Sequence, residues 1–194
     1  MTDRNDLIHL LLEHSVQWGE FILASGAKSD FYCDVRRTAL HDHGSEAIAA
    51  AVVRELLPEV EAVGGVELGA VPIVGSVITF NRWWSAVPRS LPGFIIRKKT
   101  KKYGLGNKIE NCPPKGTKVA IIEDVTTTGG SLERAITAAE EAGLKVVQAI
   151  IVVDRQEGAE EHLRAGGYTG AFTPIVTRAN LCIDEGGPTL VPGG

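Results

Sequence analysis

Two continuous apolar runs on either side of a helical pattern constrain the fold of this 194-residue chain more than any other feature. Residues 119–125 and 146–153 have the length and composition of strands buried on both faces, and residues 131–142 form an alanine-rich helical pattern between them. Such a strand–helix–strand unit has parallel strands. The sequence therefore predicts an α/β fold with a central, mostly parallel sheet flanked by helices, with ligands at the carboxyl ends of the strands.

The rest of the chain predicts a single domain over residues 1–194, with a small N-terminal hood formed mainly by residues 1–40. Apolar spacing predicts helices over 6–15, 45–57 and 72–84 and strands over 21–23, 31–35, 60–66 and 94–97. The segment at about 98–116 has no apolar periodicity but contains a run of cations, glycines and a Pro-Pro pair, which indicates a long mobile loop. We expect such a loop to have a function.

The composition excludes several classes of function. A formal net charge of −4 argues against nucleic acid and an anionic membrane as partners. No run approaches the roughly 20 apolar residues that cross a bilayer. The three cysteines lack the spacing of metal ligands. These features predict a cytoplasmic protein with reduced cysteines.

The segment 119–132, VAIIEDVTTTGGSL, leads from a buried strand through two acids into threonines and glycines that precede a helix. Threonine hydroxyls, a closely approachable glycine backbone and the free N–H groups of a helix N-terminus together suit a phosphate group. The acids suit ribose hydroxyls or the water shell of Mg²⁺. The alternative interpretation is a plain strand-to-helix turn in which Asp124 and the threonines cap the helix. A P-loop and a dinucleotide-binding fingerprint are excluded, because no lysine follows the glycines and the GxGxxG spacing is absent.

This segment resembles the motif of type I phosphoribosyltransferases that binds phosphoribosyl pyrophosphate (PRPP). FILASGAKSDFYCDVRR (21–37), RKKTKKYGLGNKIEN (97–111) and Asp154-Arg155 resemble the orotate-specific branch of that family. The resemblance implies a type I phosphoribosyltransferase-like fold and transfer of the phosphoribosyl group from PRPP to orotate, giving orotidine 5'-monophosphate and pyrophosphate in de novo pyrimidine (UMP) biosynthesis. It also implies Mg²⁺ as cofactor and a homodimer in which residues of the catalytic loop enter the partner's site.

The same resemblance assigns roles to single residues. Lys101 and Asp124 are expected to be catalytic, and Asp124 is also expected to hold the metal through water. Orotate is expected at Thr127 and Arg155, because a planar guanidinium suits a carboxylate that other bases lack. The alternative for Arg155 is a surface salt bridge with Glu157. The expected PRPP-binding residues are Arg97, Lys98, Lys101, Tyr103, Glu123, Asp124, Val125, Thr126, Thr127, Thr128, Gly129, Gly130 and Ser131.

Three features depart from the family pattern. Tyr103 stands where many members have a histidine, Ala24 where some have a lysine, and the segment 65–75 lacks a lysine that some members direct at pyrophosphate. A phenol, with an ordinary pKa of about 10, donates a hydrogen bond but is a poor proton carrier at neutral pH. Two alternatives therefore stay open, a phosphoribosyltransferase for another base and a PRPP-sensing regulator without catalysis.

Two further clusters are left out of the predicted site. His41 and His43 flank Asp42 without a third convergent ligand, so we expect them at the surface. Trp83 and Trp84, with Phe80, could stack on a base, but we expect them to pack at the end of a helix or to form a contact between subunits.

Overall fold

A computed structural model describes residues 3–22, 28–86, 88–98 and 108–182, with the backbone alone at residues 28 and 29. Its helices are α1 (Arg4–His14), α2 (Arg36–Ala39), α3 (Asp42–Glu55), α4 (Ala70–Trp83), α5 (Gly130–Glu141), α6 (Ala159–Ala165) and α7 (Arg178–Leu181). Its strands are β1 (Val16–Ile22), β2 (Lys28–Cys33), β3 (Ala62–Val66), β4 (Gly93–Ile96), β5 (Ile109–Glu110), β6 (Lys118–Thr126), β7 (Lys145–Asp154) and β8 (Ala171–Thr177). Within these residues, no helix is long and apolar enough to cross a membrane.

A six-stranded sheet in the order β5-β4-β3-β6-β7-β8 forms the centre of the molecule. All neighbouring strands in it are parallel except β5, which is antiparallel to β4. Ile121 and Ile122 on β6 point to opposite faces, and both are completely buried. One face packs against α1, α3 and α4, and the other packs against α5 and α6. The predicted α/β fold is therefore confirmed, and the sheet is covered by helices on both faces.

The N-terminal hood consists of α1 and the antiparallel hairpin β1–β2. Leu7 and Leu11 of α1 and Phe31 of β2 lie in the same apolar cluster as α3, α4 and β7, and all three are fully buried. The Arg4 Nε also donates a hydrogen bond of 2.9 Å to the carbonyl oxygen of Ile175 on β8. The hood is therefore built onto the main core rather than standing apart from it.

Two predicted boundaries need correction. The strand predicted over 21–23 begins at Val16, because Val16 and Trp18 pack against the main core. The loop predicted over about 98–116 contains β5, whose Ile109 is only 6% exposed and pairs with Ile96. Burial of this one isoleucine fixes the chain to the edge of the sheet at a point where the sequence shows no periodic pattern.

The elements α6, β8 and α7 had no sequence prediction. The strand β8 contains Pro174, which weakens the pattern of a strand, but β8 lies at the edge of the sheet. Proline is tolerated on an edge strand because one side of that strand needs no partner for its N–H groups.

Candidate active site

The turn between β6 and α5 forms a cradle at the carboxyl edge of the sheet. Gly129 has a φ of +83° and is the N-cap of α5. A plain capped turn, the alternative interpretation, would need a side chain at the N-cap, and glycine has none. The first N–H groups of α5 therefore have no side-chain cap and are available to a ligand. Thr126 is only 4% exposed, whereas Thr127 is half-buried and Thr128 is exposed. The hydroxyls that the cradle presents to solvent are therefore those of Thr127 and Thr128.

Glu123 and Asp124 lie near the end of β6 and on opposite faces of the sheet, as consecutive residues of a strand must. Glu123 lies on the side of α5, where its side chain is hydrogen-bonded to Ser131. It is 5% exposed, and its Oε2 has no hydrogen-bond partner among the described residues. Burial, and then the negative charge of Asp124, raise the pKa of Glu123 to about 7, against the opposing effects of Ser131, Lys98 and Arg134. The site thus contains a buried carboxyl group that accepts a proton near neutral pH.

Asp124 lies on the other side of β6, directly against the backbone of Gly69. A Cβ atom at Gly69 would overlap the Asp124 carboxylate, so only glycine leaves that carboxylate in its present position. Burial raises the pKa of Asp124, while backbone N–H groups and the charges of Lys98 and Arg36 act in the opposite direction. The sequence analysis missed Gly69. Its signal was a glycine at the carboxyl end of β3, the edge at which such sheets bind ligands.

Arg97 and Lys98 extend from the carboxyl end of β4. The Arg97 Nη1 lies 3.2 Å from the Glu110 Oε1, and the backbone N–H of Lys98 donates a 2.7 Å hydrogen bond to the Glu67 Oε1. Both residues line a cavity of about 140 Å³ next to the cradle, together with Lys108, Ser131 and Arg134. The predicted cations Arg97 and Lys98 therefore lie beside the predicted phosphate loop. Lys101 and Tyr103 lie outside the described residues.

Arg155 follows β7 and is buried under the hood. It is 6% exposed, its Cζ lies 4.7 Å from the centroid of the Phe31 ring, and its Nη2 lies 2.9 Å from the Glu157 Oε1. The salt bridge of the alternative interpretation is thus present, but its arginine is buried rather than on the surface.

The thiol of Cys33 on β2 lies within electrostatic range of both Asp124 and Arg155. Burial and the charge of Asp124 raise the pKa of Cys33 to about 12, and the charge of Arg155 opposes them. Both charged groups therefore act on one side chain of β2. The structure thus brings Asp124 and Arg155, 31 positions apart in the sequence, close enough for the charges of both to act on Cys33.

Arg36 is a second residue that the sequence analysis missed. Its Nε and Nη2 donate hydrogen bonds of 2.7 and 2.8 Å to the carboxylate of Asp34, which lowers the pKa of Asp34. Its positive charge also acts on Asp124. The charge of Arg36 acts on Asp124 only because the chain after β2 folds back over the sheet. The local sequence does not predict this arrangement.

The carboxylates suit Mg²⁺ only in part. Among the described residues, no group of three histidine, cysteine, aspartate or glutamate side chains converges to hold a metal ion. Mg²⁺ needs no such group when a substrate supplies phosphate oxygens, because one or two carboxylates, often through water, then complete its shell. Asp124, half-buried at the cradle, fits that role.

Comparisons with known proteins show the family to which the chain belongs. The phosphoribosyl transferase domain family matches residues 41–165, which run from α3 to α6. The orotate phosphoribosyltransferase of Methanopyrus kandleri is 43% identical over 85% of this chain and 85% of its own length. That of Methanocaldococcus jannaschii is 41% identical over 93% of this chain and 98% of its own length.

Solved structures give the same result. The crystal structure of Mycobacterium tuberculosis orotate phosphoribosyltransferase in complex with PRPP superposes with a TM-score of 0.72 at 29% identity, covering 92% of this chain and 98% of that one. The fold and the cradle define a phosphoribosyltransferase domain. The chain belongs to the orotate phosphoribosyltransferase family.

Proposed function

We propose that this chain transfers the 5-phosphoribosyl group of PRPP to orotate, giving orotidine 5'-monophosphate and pyrophosphate in de novo pyrimidine (UMP) biosynthesis. One observation carries the proposal. The Glu123–Asp124 pair and the cradle at Gly129 lie at the end of β6, and the buried cation Arg155 lies at the end of the neighbouring strand β7. A sugar phosphate and an anionic base thus have adjacent binding groups on one edge of the sheet.

PRPP is proposed to lie across β6 and β4. Its 5'-phosphate binds the segment 126–131, where the N-terminus of α5 supplies N–H groups and partial positive charge. Its ribose lies near Glu123 and Asp124, and its pyrophosphate faces Arg97, Lys98 and Lys101. The Mycobacterium tuberculosis relative was solved in complex with PRPP, which supports PRPP as the ligand.

Orotate is proposed to bind with its carboxylate on Arg155 and its ring near Thr127. The deprotonated ring nitrogen forms a bond to the ribose carbon as the bond from that carbon to the pyrophosphate oxygen breaks. Asp124 stabilises the positive charge that develops on the ribose, and the cations of the loop stabilise the leaving pyrophosphate. The enzyme contributes orientation and fixed charges, without a covalent intermediate.

Mg²⁺ is proposed as the cofactor, held by Asp124 through water and by the oxygens of PRPP. When bound, the ion would neutralise part of the charge on the pyrophosphate. Lys98, whose backbone is fixed by Glu67, stands ready to neutralise a further part.

We also propose a homodimer in which loop residues, among them Lys101, act in the partner's site. Trp84 packs on Phe80 with the ring centroids 6.0 Å apart, as the packing alternative predicts. Trp83 and Trp84 nevertheless stay 70% and 65% exposed, which supports a contact between subunits. A cytoplasmic location is proposed as well, since Cys33, Cys112 and Cys182 are free thiols.

The test is the loss of orotate absorbance when the purified protein is mixed with Mg²⁺, PRPP and orotate. Adenine, hypoxanthine and uracil serve as parallel substrates. Rapid loss that depends on PRPP and is confined to orotate is the expected result. Turnover with another base alone would overturn the choice of base, and binding of PRPP without any turnover would favour a PRPP sensor.

A further inference from the structure

The guanidinium of Arg155 already forms a salt bridge with a carboxylate, that of Glu157. The Arg155 Nη2 and the Glu157 Oε1 are 2.9 Å apart, and the side chain of Arg155 is 6% exposed while that of Glu157 is 32% exposed. A group so buried cannot contact a dissolved carboxylate until one of the groups that cover it moves.

The Arg155 guanidinium contacts the ring of Phe31 and the carboxylate of Glu157, and these two groups differ in freedom. Phe31 is completely buried in the main core and paired in the β1–β2 hairpin, so its ring is fixed. Glu157 lies in the short turn between β7 and α6, and this turn contains the left-handed residues Gln156 (φ 58°) and Gly158 (φ 89°). A partly exposed side chain in a turn rotates into water at small cost. Glu157 is therefore the group that a ligand would displace.

We propose that Glu157 is an internal competitor for the orotate subsite, whose carboxylate occupies Arg155 until the carboxylate of the substrate replaces it. This inference rests on the proposed transfer to orotate. The exchange replaces one carboxylate by another on the same guanidinium, so Arg155 is never left buried without an anion. Release of the product is the reverse exchange, in which Glu157 returns to Arg155.

The exchange sets how strongly the site favours a carboxylate. Orotate must break the contact between Arg155 and Glu157, so part of its binding free energy is used in that displacement. An uncharged pyrimidine binds without breaking the contact between Arg155 and Glu157. Its binding therefore does not leave the charge of Arg155 without a partner. Removing the charge of Glu157 would therefore strengthen the binding of carboxylate-bearing ligands and leave uncharged ones no better bound.

Glu157→Gln and a matched pair of nucleotides test the proposal. Orotidine 5'-monophosphate and UMP differ only in the carboxylate, so the ratio of their dissociation constants isolates its contact with Arg155. We expect Glu157→Gln to bind orotidine 5'-monophosphate about tenfold more tightly, the size of one charge-assisted hydrogen bond, and to bind UMP no more tightly than wild type. The KM for orotate should fall while the KM for PRPP is unchanged.

Glu160→Gln is the control, because Glu160 pairs with Arg164 at 3.0 Å in the adjacent helix and its loss changes the local charge equally. Its ratio of dissociation constants should equal that of wild type. Glu157→Gln with an unchanged ratio, or with weaker binding of orotidine 5'-monophosphate, overturns the competitor role, and a thermal unfolding midpoint near that of wild type shows that this result is not caused by misfolding. A wild-type protein that does not prefer orotidine 5'-monophosphate to UMP would instead overturn the proposed function itself.

Discussion

Side chains alternate between the two faces of a strand, so the two adjacent acids near the end of β6 lie in different surroundings. Glu123 is directed to the side of α5 and Asp124 to the side of the hood, so one strand end carries a carboxylate on each face of the sheet. The two groups also affect each other, since the charge of Asp124 contributes to the raised pKa of Glu123. Each residue therefore has its own environment and its own test.

Glu123 makes the stability of the fold depend on pH. The pKa of its carboxyl group is about 7 in the folded chain, against an ordinary value of 4.5, so the folded state binds the proton more tightly than the unfolded chain. The resulting stability is fully present below pH 4.5 and is lost as the pH rises to 7. We expect wild type to lose up to about 3 kcal/mol relative to Glu123→Gln over this range, measured by denaturant unfolding at several pH values.

Glu141→Gln, an exposed position at the end of α5, is the control for that experiment. Its unfolding free energy is measured at the same pH values, so that the effect of Glu123→Gln is compared with the removal of an exposed carboxylate. A constant difference between wild type and Glu123→Gln would show that Glu123 does not bind its proton more tightly in the folded chain.

Gly69→Ala should damage the site, because the added Cβ overlaps the carboxylate of Asp124 and forces it to move. We expect kcat/KM for PRPP to fall by at least about tenfold, as a displaced carboxylate no longer meets the ribose. Gly75→Ala is the matched control, since its Cβ would meet no atom within 4 Å and alanine favours the helix α4. Normal turnover of Gly69→Ala would show that the position of Asp124 is not critical.

At the residue scale, the sequence predicted the candidate substrate-binding and catalytic side chains. It did not predict the neighbouring residues that fix the positions of those side chains. Asp124, Arg155 and the cradle were found because acids, an arginine and glycines at strand ends are distinctive. Gly69 acts only through its contact with Asp124, and the salt bridge between Arg155 and Glu157 was expected at the surface but holds a buried arginine. Such contacts exist only after residues distant in the sequence have folded together, or after a turn has set its dihedral angles.

At the scale of elements, the junction of β6 and α5 depends on a left-handed residue. Gly129→Ala combines a φ of +83° with a Cβ position 3.0 Å from the carbonyl oxygen of Ala159. We expect a loss of about 1–3 kcal/mol in unfolding free energy, together with weaker binding of PRPP, because the turn that forms the cradle must shift. Denaturant unfolding and PRPP titration measure the two effects.

Gly116→Ala separates backbone strain from damage to the cradle. Gly116 has a φ of +86°, but a Cβ there would meet nothing within 4 Å, and it lies before β6 at the opposite edge of the sheet. It should lose stability and keep its affinity for PRPP. Equal affinities of the two variants for PRPP would argue against a role of this turn in phosphate binding.

The elements that the sequence predicted well are those with a long, uniform pattern. The strands β6 and β7 and the helix α5 appear almost at their predicted bounds, because a run that is apolar on both faces has few alternatives to a central strand. The two-residue strand β5 and the edge strand β8 were not predicted. Their positions are fixed by pairing with a neighbour, which is not encoded in their own short sequences.

At the scale of the whole molecule, the proposed sharing of the loop predicts complementation between two inactive variants. Asp124→Asn removes a group from the subunit's own site, and Lys101→Ala removes a group that it would contribute to the partner. When the two are co-expressed, one site of each mixed dimer is intact. Random pairing should therefore restore about a quarter of wild-type activity.

Each variant expressed alone sets the background of that experiment and should have little activity. If the loop acts within its own subunit, both sites of the mixed dimer are defective and no activity returns. Sedimentation of Trp83→Ala provides an independent check, since loss of a subunit contact at α4 should shift the protein toward monomers.

Phe31 ties the hood to the ends of two strands, since the guanidinium carbons of Arg155 and Arg178 lie 4.7 and 5.6 Å from its ring centroid. Backbone amides exchange their hydrogens with solvent only when their segment opens, and the least stable segments open most often. A ligand that binds Arg155 in the folded state also stabilises the contact between Arg155 and the Phe31 ring, so the amides of the β1–β2 hairpin should exchange more slowly when the site is filled. The exchange rate of the hairpin amides would then report whether the site is filled, without any need for turnover.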